Sequence, residues 1–290
     1  MIDYEKAMAW RSGDVRHSYS SKDTILYALG VGVGADPLDA RQLRFTYEAD
    51  LVALPTMAAV LASPGFWMRD RAELGMDFVK LVHGEQGVTL HSPLPAEATL
   101  IGRSRVLRIV DKGVGRGAVM QVEKTLFDEA SGALIASTEA ALFLRGDGGF
   151  SVNGGGDAPA PALPATPETA PDRVLELPTR RDAALLYRLS GDFNPLHVDP
   201  GFAARAGFPR PILHGLATYG VACHGIVQAF CDHDPSRLKS IHARLSSPVF
   251  PGETIRLECW RVADDEVAFR GRLVERDVVV LSHGRASLHP

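Results

Sequence analysis

The chain repeats itself, and that repetition constrains its fold more than any other feature. Ser20-Ser-Lys-Asp-Thr-Ile-Leu-Tyr-Ala-Leu-Gly30 parallels Thr179-Arg-Arg-Asp-Ala-Ala-Leu-Leu-Tyr-Arg-Leu-Ser190. Asp36-Pro-Leu-Asp39 parallels Asn194-Pro-Leu-His197, and Ser92-Pro-Leu-Pro-Ala-Glu-Ala-Thr-Leu100 parallels Ser247-Pro-Val-Phe-Pro-Gly-Glu-Thr-Ile255. Three matches in the same order at a near-constant offset mark an internal duplication. Between the copies, from Gly146 to Pro178, the composition changes to Gly (148, 149, 154, 155, 156) and then to Pro (159, 161, 164, 167, 171) spaced by Ala and Thr. Such a stretch cannot bury enough apolar surface to order itself and reads as a linker. The expected organisation is an N-terminal half at 1–147, a linker at 148–177 and a C-terminal half at 178–290.

Each half opens with Ser or Thr three residues before an Asp, the signature of a helix start whose hydroxyl and carboxylate accept bonds from unpaired backbone N–H groups. Each half then turns strand-like. Ile101–Val110, Ala118–Phe127 and Leu134–Phe143 in one half, and Ile255–Val262, Val267–Leu273 and Val278–Ser287 in the other, are rich in β-branched and apolar residues and are separated by Gly-rich or charged turns. In the second half an apolar segment, Gly215 to Phe230, carries Leu216, Tyr219, Cys223, Ile226, Val227 and Phe230 at helical spacing. It has few polar residues and reads as a helix buried almost all round. The expected fold class is α+β, each half a central helix wrapped by an antiparallel sheet.

The 290 residues carry a net charge of −4, with Arg interleaved among Asp and Glu and no long basic run. That excludes a general nucleic-acid or membrane-surface binder, while leaving room for a local basic patch. Cys223, Cys231 and Cys259 are odd in number and not closely paired, so neither a disulfide framework nor a zinc knuckle is expected. The N-terminus lacks a signal-peptide apolar region, and Gly215 to Phe230 is too short and interrupted to span a bilayer. A cytoplasmic location is the expectation.

The densest chemical signal is Tyr187-Arg-Leu-Ser-Gly-Asp-Phe-Asn-Pro-Leu-His197. Gly191 can end a helix at positive φ, and Pro195 forbids its continuation. Asp192, Asn194 and His197, a carboxylate, an amide and an imidazole, are thereby gathered on one short, stiff loop. The same residue types also make ordinary capped turns. In Pro209-Arg-Pro-Ile-Leu-His-Gly-Leu-Ala-Thr-Tyr219, Gly215 stands where the buried helix begins. Unpaired N–H groups and the positive dipole end gather there, and a Gly lets a ligand carbonyl approach the backbone. A Gly at that place also serves close packing alone. The first half has Thr56 there, Asp39 in place of His197, and no Ser-Gly-Asp, so one active site per chain is expected.

Other signals fall away. Gly30-Val-Gly-Val-Gly-Ala35 follows a helical pattern, not a strand, and Pro37 spoils the helix a dinucleotide site needs. The ten His residues include no HExxH and no Cys partner at ligand spacing, so no metal is expected. Neither Ser190 nor Ser92 sits in a nucleophile elbow.

Ser190-Gly-Asp-Phe-Asn-Pro-Leu-His197, followed by Ile212-Leu-His-Gly-Leu-Ala-Thr-Tyr-Gly220, resembles the MaoC-like, (R)-specific enoyl-CoA hydratases, also called hydratase 2. Asp23-Thr-Ile-Leu-Tyr-Ala-Leu-Gly-Val-Gly32, His83-Gly-Glu-Gln86, Asp111-Lys-Gly113 and Arg145-Gly-Asp-Gly-Gly-Phe150 resemble the N-terminal half of the long form, which is also found in the multifunctional β-oxidation enzyme. The linker departs from that pattern in its longer Ala/Pro tract.

The resemblance implies a double hot-dog fold and reversible syn hydration of trans-2-enoyl-CoA to (3R)-hydroxyacyl-CoA in fatty-acyl metabolism, without a cofactor. It implies that Asp192 and His197 hold the catalytic water with Asn194 supporting them. It also implies that the Gly215 N–H binds the thioester oxygen and that the degenerate first half accommodates the acyl chain. His197 is favoured as base on the water and Asp192 as the group passing the proton to C2, the two titrating as a pair. Arg244 and Lys239 are candidates for the CoA phosphates, and His214 and Leu216, flanking Gly215, for further substrate contacts. The expected partner is an acyl-CoA thioester, with a homodimer allowed. A dehydratase of a synthetic pathway acting on a carrier-protein substrate, a hot-dog thioesterase and an acyl-thioester-binding module are the alternatives.

Overall fold

The structure is a computed structural model that describes residues 1–289. Its strands are β1 (Arg11–Tyr19), β2 (Leu81–Leu90), β3 (Ala98–Asp111), β4 (Ala118–Asp128), β5 (Leu134–Leu144), β6 (Arg173–Pro178), β7 (Leu238–Leu245), β8 (Thr254–Ala263), β9 (Glu266–Leu273) and β10 (Val279–Leu288). They form one antiparallel sheet in the order β1-β3-β4-β5-β2-β7-β10-β9-β8-β6. Matching β1 with β6, β3 with β8, β4 with β9, β5 with β10 and β2 with β7 makes this order read alike from both ends. The duplication is therefore built into the sheet, and its two copies meet at the β2/β7 seam, where Glu85 lies opposite Arg244 and Val88 opposite Ile241. The expected six meander strands are present, extended by a few residues at some ends.

The helices are α1 (Tyr4–Ala9), α2 (Ser21–Gly30), α3 (Ala40–Leu43), α4 (Ala183–Tyr187), α5 (Pro200–Arg205) and α6 (Gly215–Phe230). The start of α2 is the expected capping box: the Ser20 N–H donates to the Asp23 carboxylate at 2.8 Å. Its copy departs from the expectation. The Thr179 hydroxyl donates to the Glu253 carbonyl at 2.8 Å, and Asp182 pairs with Arg180, so neither caps α4. The two copies still meet face to face. Tyr27 and Tyr187, equivalent in the repeat, have ring centroids 5.8 Å apart, and Gly30 packs directly on the Tyr187 backbone.

α6 is the buried helix expected from its composition. A Cβ at Gly220 would come within 2.6 Å of Val31 Cγ1, and the Tyr219 hydroxyl donates to the Ile241 carbonyl at 2.6 Å. Fully burying each of its larger apolar side chains contributes roughly 1.5–3 kcal/mol.

The first half, however, has no such helix. In its place stands a 3-10 turn, Pro55–Ala59, followed by Ala62 at φ 45° and then by Pro64-Gly65. Proline and the left-handed residue end the helix within a turn. From β4 the buried Lys124 amino group, its pKa pushed down to about 7 by burial, donates to the Ala59 and Leu61 carbonyls that a longer helix would have bonded internally. The expectation of one central helix per half is corrected to one central helix per chain.

The 148–177 stretch is more ordered than its composition suggests. Phe150 is buried, and the Asp157 carboxylate accepts from the Ile109 N–H at 2.8 Å and the Tyr4 hydroxyl at 3.1 Å. From Arg173 the chain is already β6, paired with β8 and burying Leu177. Ordering there comes from non-local pairing, which a local composition does not record.

Candidate active site

α4 is followed by a 3-10 turn, Arg188–Ser190, and Gly191 ends it at φ 119°, a conformation that suits glycine. Two side chains then fold the loop. The Asp192 Oδ1 accepts from the Asn194 N–H at 3.1 Å, and the Asn194 Oδ1 accepts from the Leu196 N–H at 3.0 Å, capping the turn Pro195–His197. Asn194 thus holds the loop through its backbone. The turn delivers His197, buried, toward Asp192.

The His197 Nδ1 donates to the Ile212 carbonyl at 2.8 Å. A carbonyl cannot donate, so the Nδ1 carries the proton and the Nε2 keeps a free lone pair. That lone pair lies 4.0 Å from the Asp192 Oδ2. The gap is too long for a direct hydrogen bond and suits one water reaching both atoms. Burial pushes the His197 pKa below its ordinary 6.5, against the opposing pull of the Ile212 bond and Asp192. The imidazole is neutral at pH 7 and able to accept a proton.

His214 precedes α6. Its Nε2 donates to the Asp192 carbonyl at 3.1 Å, its ring stacks on His197 at 3.7 Å and 27°, and it lies against the Tyr187 ring at 5.0 Å. Burial first, then His197, push its pKa down to about 4. Asp192, His197 and His214 place one ligand-type atom each within 4.8 Å of one another. A metal would need their lone pairs to converge at about 2.0–2.2 Å. Imidazole lone pairs lie in the ring plane, and two stacked rings project them side by side. The trio fits a water better than an ion.

Gly215 is the first residue of α6, and its N–H, like that of Leu216, precedes the first intrahelical bonds. A Cβ at Gly215 would sit 2.7 Å from Leu245 Cδ1, so the backbone is open here only because the residue is glycine. One loop, one 3-10 turn and one helix start therefore bring Asp192, His197, His214 and Gly215 into a single group.

The other candidates stand elsewhere. Arg244 is engaged across the seam by Glu85, at 2.8 Å through Nε and 2.7 Å through Nη2, so its charge is already matched. Lys239 is exposed near the other end of β7. Leu216 is partly buried and packs on the core. His214 is shut away from solvent, in an environment of backbone and rings.

Three neighbours escaped the reading of the sequence. Tyr187 supports His214 from the side. Arg188 lies over the Phe193 ring at 4.9 Å and makes no ion pair among the described residues. His83 of β2, in the other half, lies close enough to Asp192 to feel its charge. Tyr187 and Arg188 stand inside the motif and could have been found there; His83 stands in the His83-Gly-Glu-Gln86 segment that carries the resemblance, but nothing in that segment ties it to Asp192. Two surface clefts of about 450 and 440 Å³ share no residue with this group.

Two family models match consecutive parts of the chain. The MFE-2 hydratase 2 N-terminal domain matches residues 17–146 and the MaoC like domain residues 162–283. The chain is 43% identical over 261 residues to 3-hydroxyacyl-thioester dehydratase Y of Mycobacterium tuberculosis, covering 89% of this chain and 88% of that one. It is 38% identical over 296 residues to the peroxisomal enoyl-CoA hydratase 2 of Arabidopsis thaliana, covering 95% and 92%. The crystal structure of a MaoC-like dehydratase from Phytophthora capsici superposes with a TM-score of 0.85 at 32% identity, over 99% of each chain.

Proposed function

The chain belongs to the MaoC-like family in the form that carries a hydratase 2 N-terminal domain, and from that premise we propose that it hydrates trans-2-enoyl-CoA reversibly to (3R)-hydroxyacyl-CoA in fatty-acyl metabolism. The observation that carries the mechanism is the His197 tautomer. With Nδ1–H bound to the Ile212 carbonyl, the Nε2 is left as an acceptor facing the Asp192 carboxylate across one water's width.

The water between them adds its hydroxyl to C3 while His197 takes one of its protons. Negative charge builds on the thioester oxygen, where the Gly215 N–H at the positive end of α6 stabilises it. His197 passes that proton on to Asp192, which delivers it to C2, so both parts of the water end on the substrate and both groups return to their starting states. Both partners stand on one side of the substrate, which makes the addition syn. The same groups run in reverse dehydrate a 3-hydroxyacyl thioester, the activity in the name of the Mycobacterium relative. The acyl chain lies, in this proposal, where the first half lacks its central helix. Lys239 remains the proposed phosphate contact, with Arg244 secondary because Glu85 holds it.

The three cysteines are free and buried, which suits a reducing compartment, and the cytoplasm is the location we propose. No helix among the described residues is long and apolar enough to cross a membrane. A homodimer would have to avoid the sheet edges: β1 is bulged between Arg11 and Asp14 and carries exposed charges, and β6 ends on Pro178.

Loss of the enoyl-thioester absorbance with crotonyl-CoA or trans-2-decenoyl-CoA, giving (3R) product, tests the proposal. Asp192→Asn and His197→Gln should each lower the rate by roughly 10²–10⁴-fold. Full activity in both variants defeats the mechanism, and release of free CoA from a saturated acyl-CoA would support a thioesterase instead.

A further inference from the structure

We propose that His214 is a positioning residue that clamps the acid–base loop to the start of α6, fixing Asp192 and His197 relative to the Gly215 amide. The proposal rests on the hydratase reading for its rate arm only.

Three contacts carry it. The Nε2–H of His214 holds the Asp192 carbonyl at 3.1 Å, so the loop that bears the carboxylate is tied through its own backbone. The flat of the ring covers one face of His197 at 3.7 Å; that ring's nitrogens make their bonds in its plane, so both stay free for the Ile212 carbonyl and the water. The main-chain carbonyl of His214 accepts from the Ala217 and Thr218 N–H groups at 3.0 and 3.1 Å, which starts the helix whose first amide is Gly215. One residue thereby touches the carboxylate loop, the base and the oxyanion helix. It is 1% exposed, so it meets those groups and not the substrate.

The clamp works only while His214 is uncharged. Its neighbours are His197 and Asp192 from the loop, Arg188 from the preceding turn and the Tyr187 ring from α4. A charge on His214 would be repelled by Arg188, and no carboxylate reaches its Nδ1, which is buried without a partner. A neutral ring with its single proton on Nε2 satisfies every contact that the structure makes.

Two variants separate the donor from the ring. His214→Phe keeps the stack and loses the bond to Asp192. His214→Gln keeps a donor near the Nε2 position and loses the stack. With crotonyl-CoA, His214→Phe should lower kcat by about 10²-fold with KM unchanged, the scale of a misplacement near 1 Å. His214→Gln should recover part of kcat, and its kcat/KM profile should have its acid limb moved to higher pH. Without the covering ring His197 is rehydrated, its pKa rises, and more alkaline conditions are needed to keep it a free base. The His197 imidazole, titrated by NMR, should move in the same direction in His214→Gln and stay put in His214→Phe, whether or not the substrate has been identified correctly. A wild-type chain that leaves every enoyl-CoA untouched would sink the hydratase reading while this titration still judges the clamp. A raised KM at unchanged kcat would make His214 a substrate contact and overturn the proposal. So would a His197 titration that is the same in both variants and wild type.

Discussion

The Gly215 amide can be removed without dismantling the helix it opens, and this permits a sharp test of the oxyanion site. Gly215 is the first residue of α6, where the N–H has no intrahelical partner and proline is tolerated. His214 ahead of it is extended, at φ −58° and ψ 135°, which is the conformation a following proline demands. The obstacle is Leu245, whose Cδ1 would lie 2.7 Å from any Cβ at this position. Leu245→Ala clears it at a modest cost, because Leu245 is only partly buried. In that background Gly215→Ala keeps the N–H and Gly215→Pro removes it, filling the same spot with a ring carbon. One lost oxyanion donor costs roughly 10²–10³-fold in rate, or about 2.7–4 kcal/mol of transition-state stabilisation. The Pro/Ala double variant should therefore fall at least about 10²-fold below the Ala/Ala double variant in kcat/KM on crotonyl-CoA. Thermal unfolding should be similar in the two. Equal kcat/KM with both proteins folded would remove Gly215 from the mechanism.

The acid limb of kcat/KM should lie below pH 6.5, because burial lowers the His197 pKa and the base must be unprotonated; activity is lost as pH falls through that depressed value, and a limb above 6.5 would contradict the assignment. Lys239→Glu should raise KM for CoA thioesters, while Arg244→Glu, which breaks the seam pair with Glu85, should show mainly in thermal stability; because that pair is partly exposed, its loss is worth about 1 kcal/mol or less. An unchanged KM in Lys239→Glu would leave the phosphates without their proposed cation.

The loop proposed for catalysis was legible because its chemistry is local. Asp192, Asn194 and His197 fall within six positions, and Gly191 and Pro195 restrict the backbone so strongly that few shapes remain. The six meander strands and α6 were legible from periodicity for the same reason. The edge and seam strands were not. β1 reads Arg-Ser-Gly-Asp-Val-Arg-His-Ser-Tyr, with little apolar material, and it is held by pairing with β3. β7 alternates its apolar residues with Lys, Ser, His and Arg, and its place at the seam depends on β2, far away in the chain. The contacts that make His214 part of the site also join separate segments, its bond to the Asp192 carbonyl spanning 22 residues, which no spacing rule reaches.

The halves share a sheet and have parted company in what that sheet encloses. Where the second copy has His197, the first has Asp39, and there the carboxylate simply caps α3 by accepting from the Arg41 N–H while pairing with the Arg41 guanidinium. Where the second copy has Gly215 opening a long helix, the first has Thr56 in a single turn closed off by Lys124. These two changes act together. Without the imidazole the first copy lacks the proposed base, and without the helix it lacks a first amide at the end of a long dipole. A vestigial half that had only lost its catalytic residues would be expected to keep its core helix, since burying that helix is what stabilises the wrap. Losing the helix as well removes apolar contacts that must be replaced, and a buried lysine amino group on two carbonyls is a costly way to close the gap. We propose that this cost is met by a use: the first half, with no site of its own, serves as a wall for the site of the other.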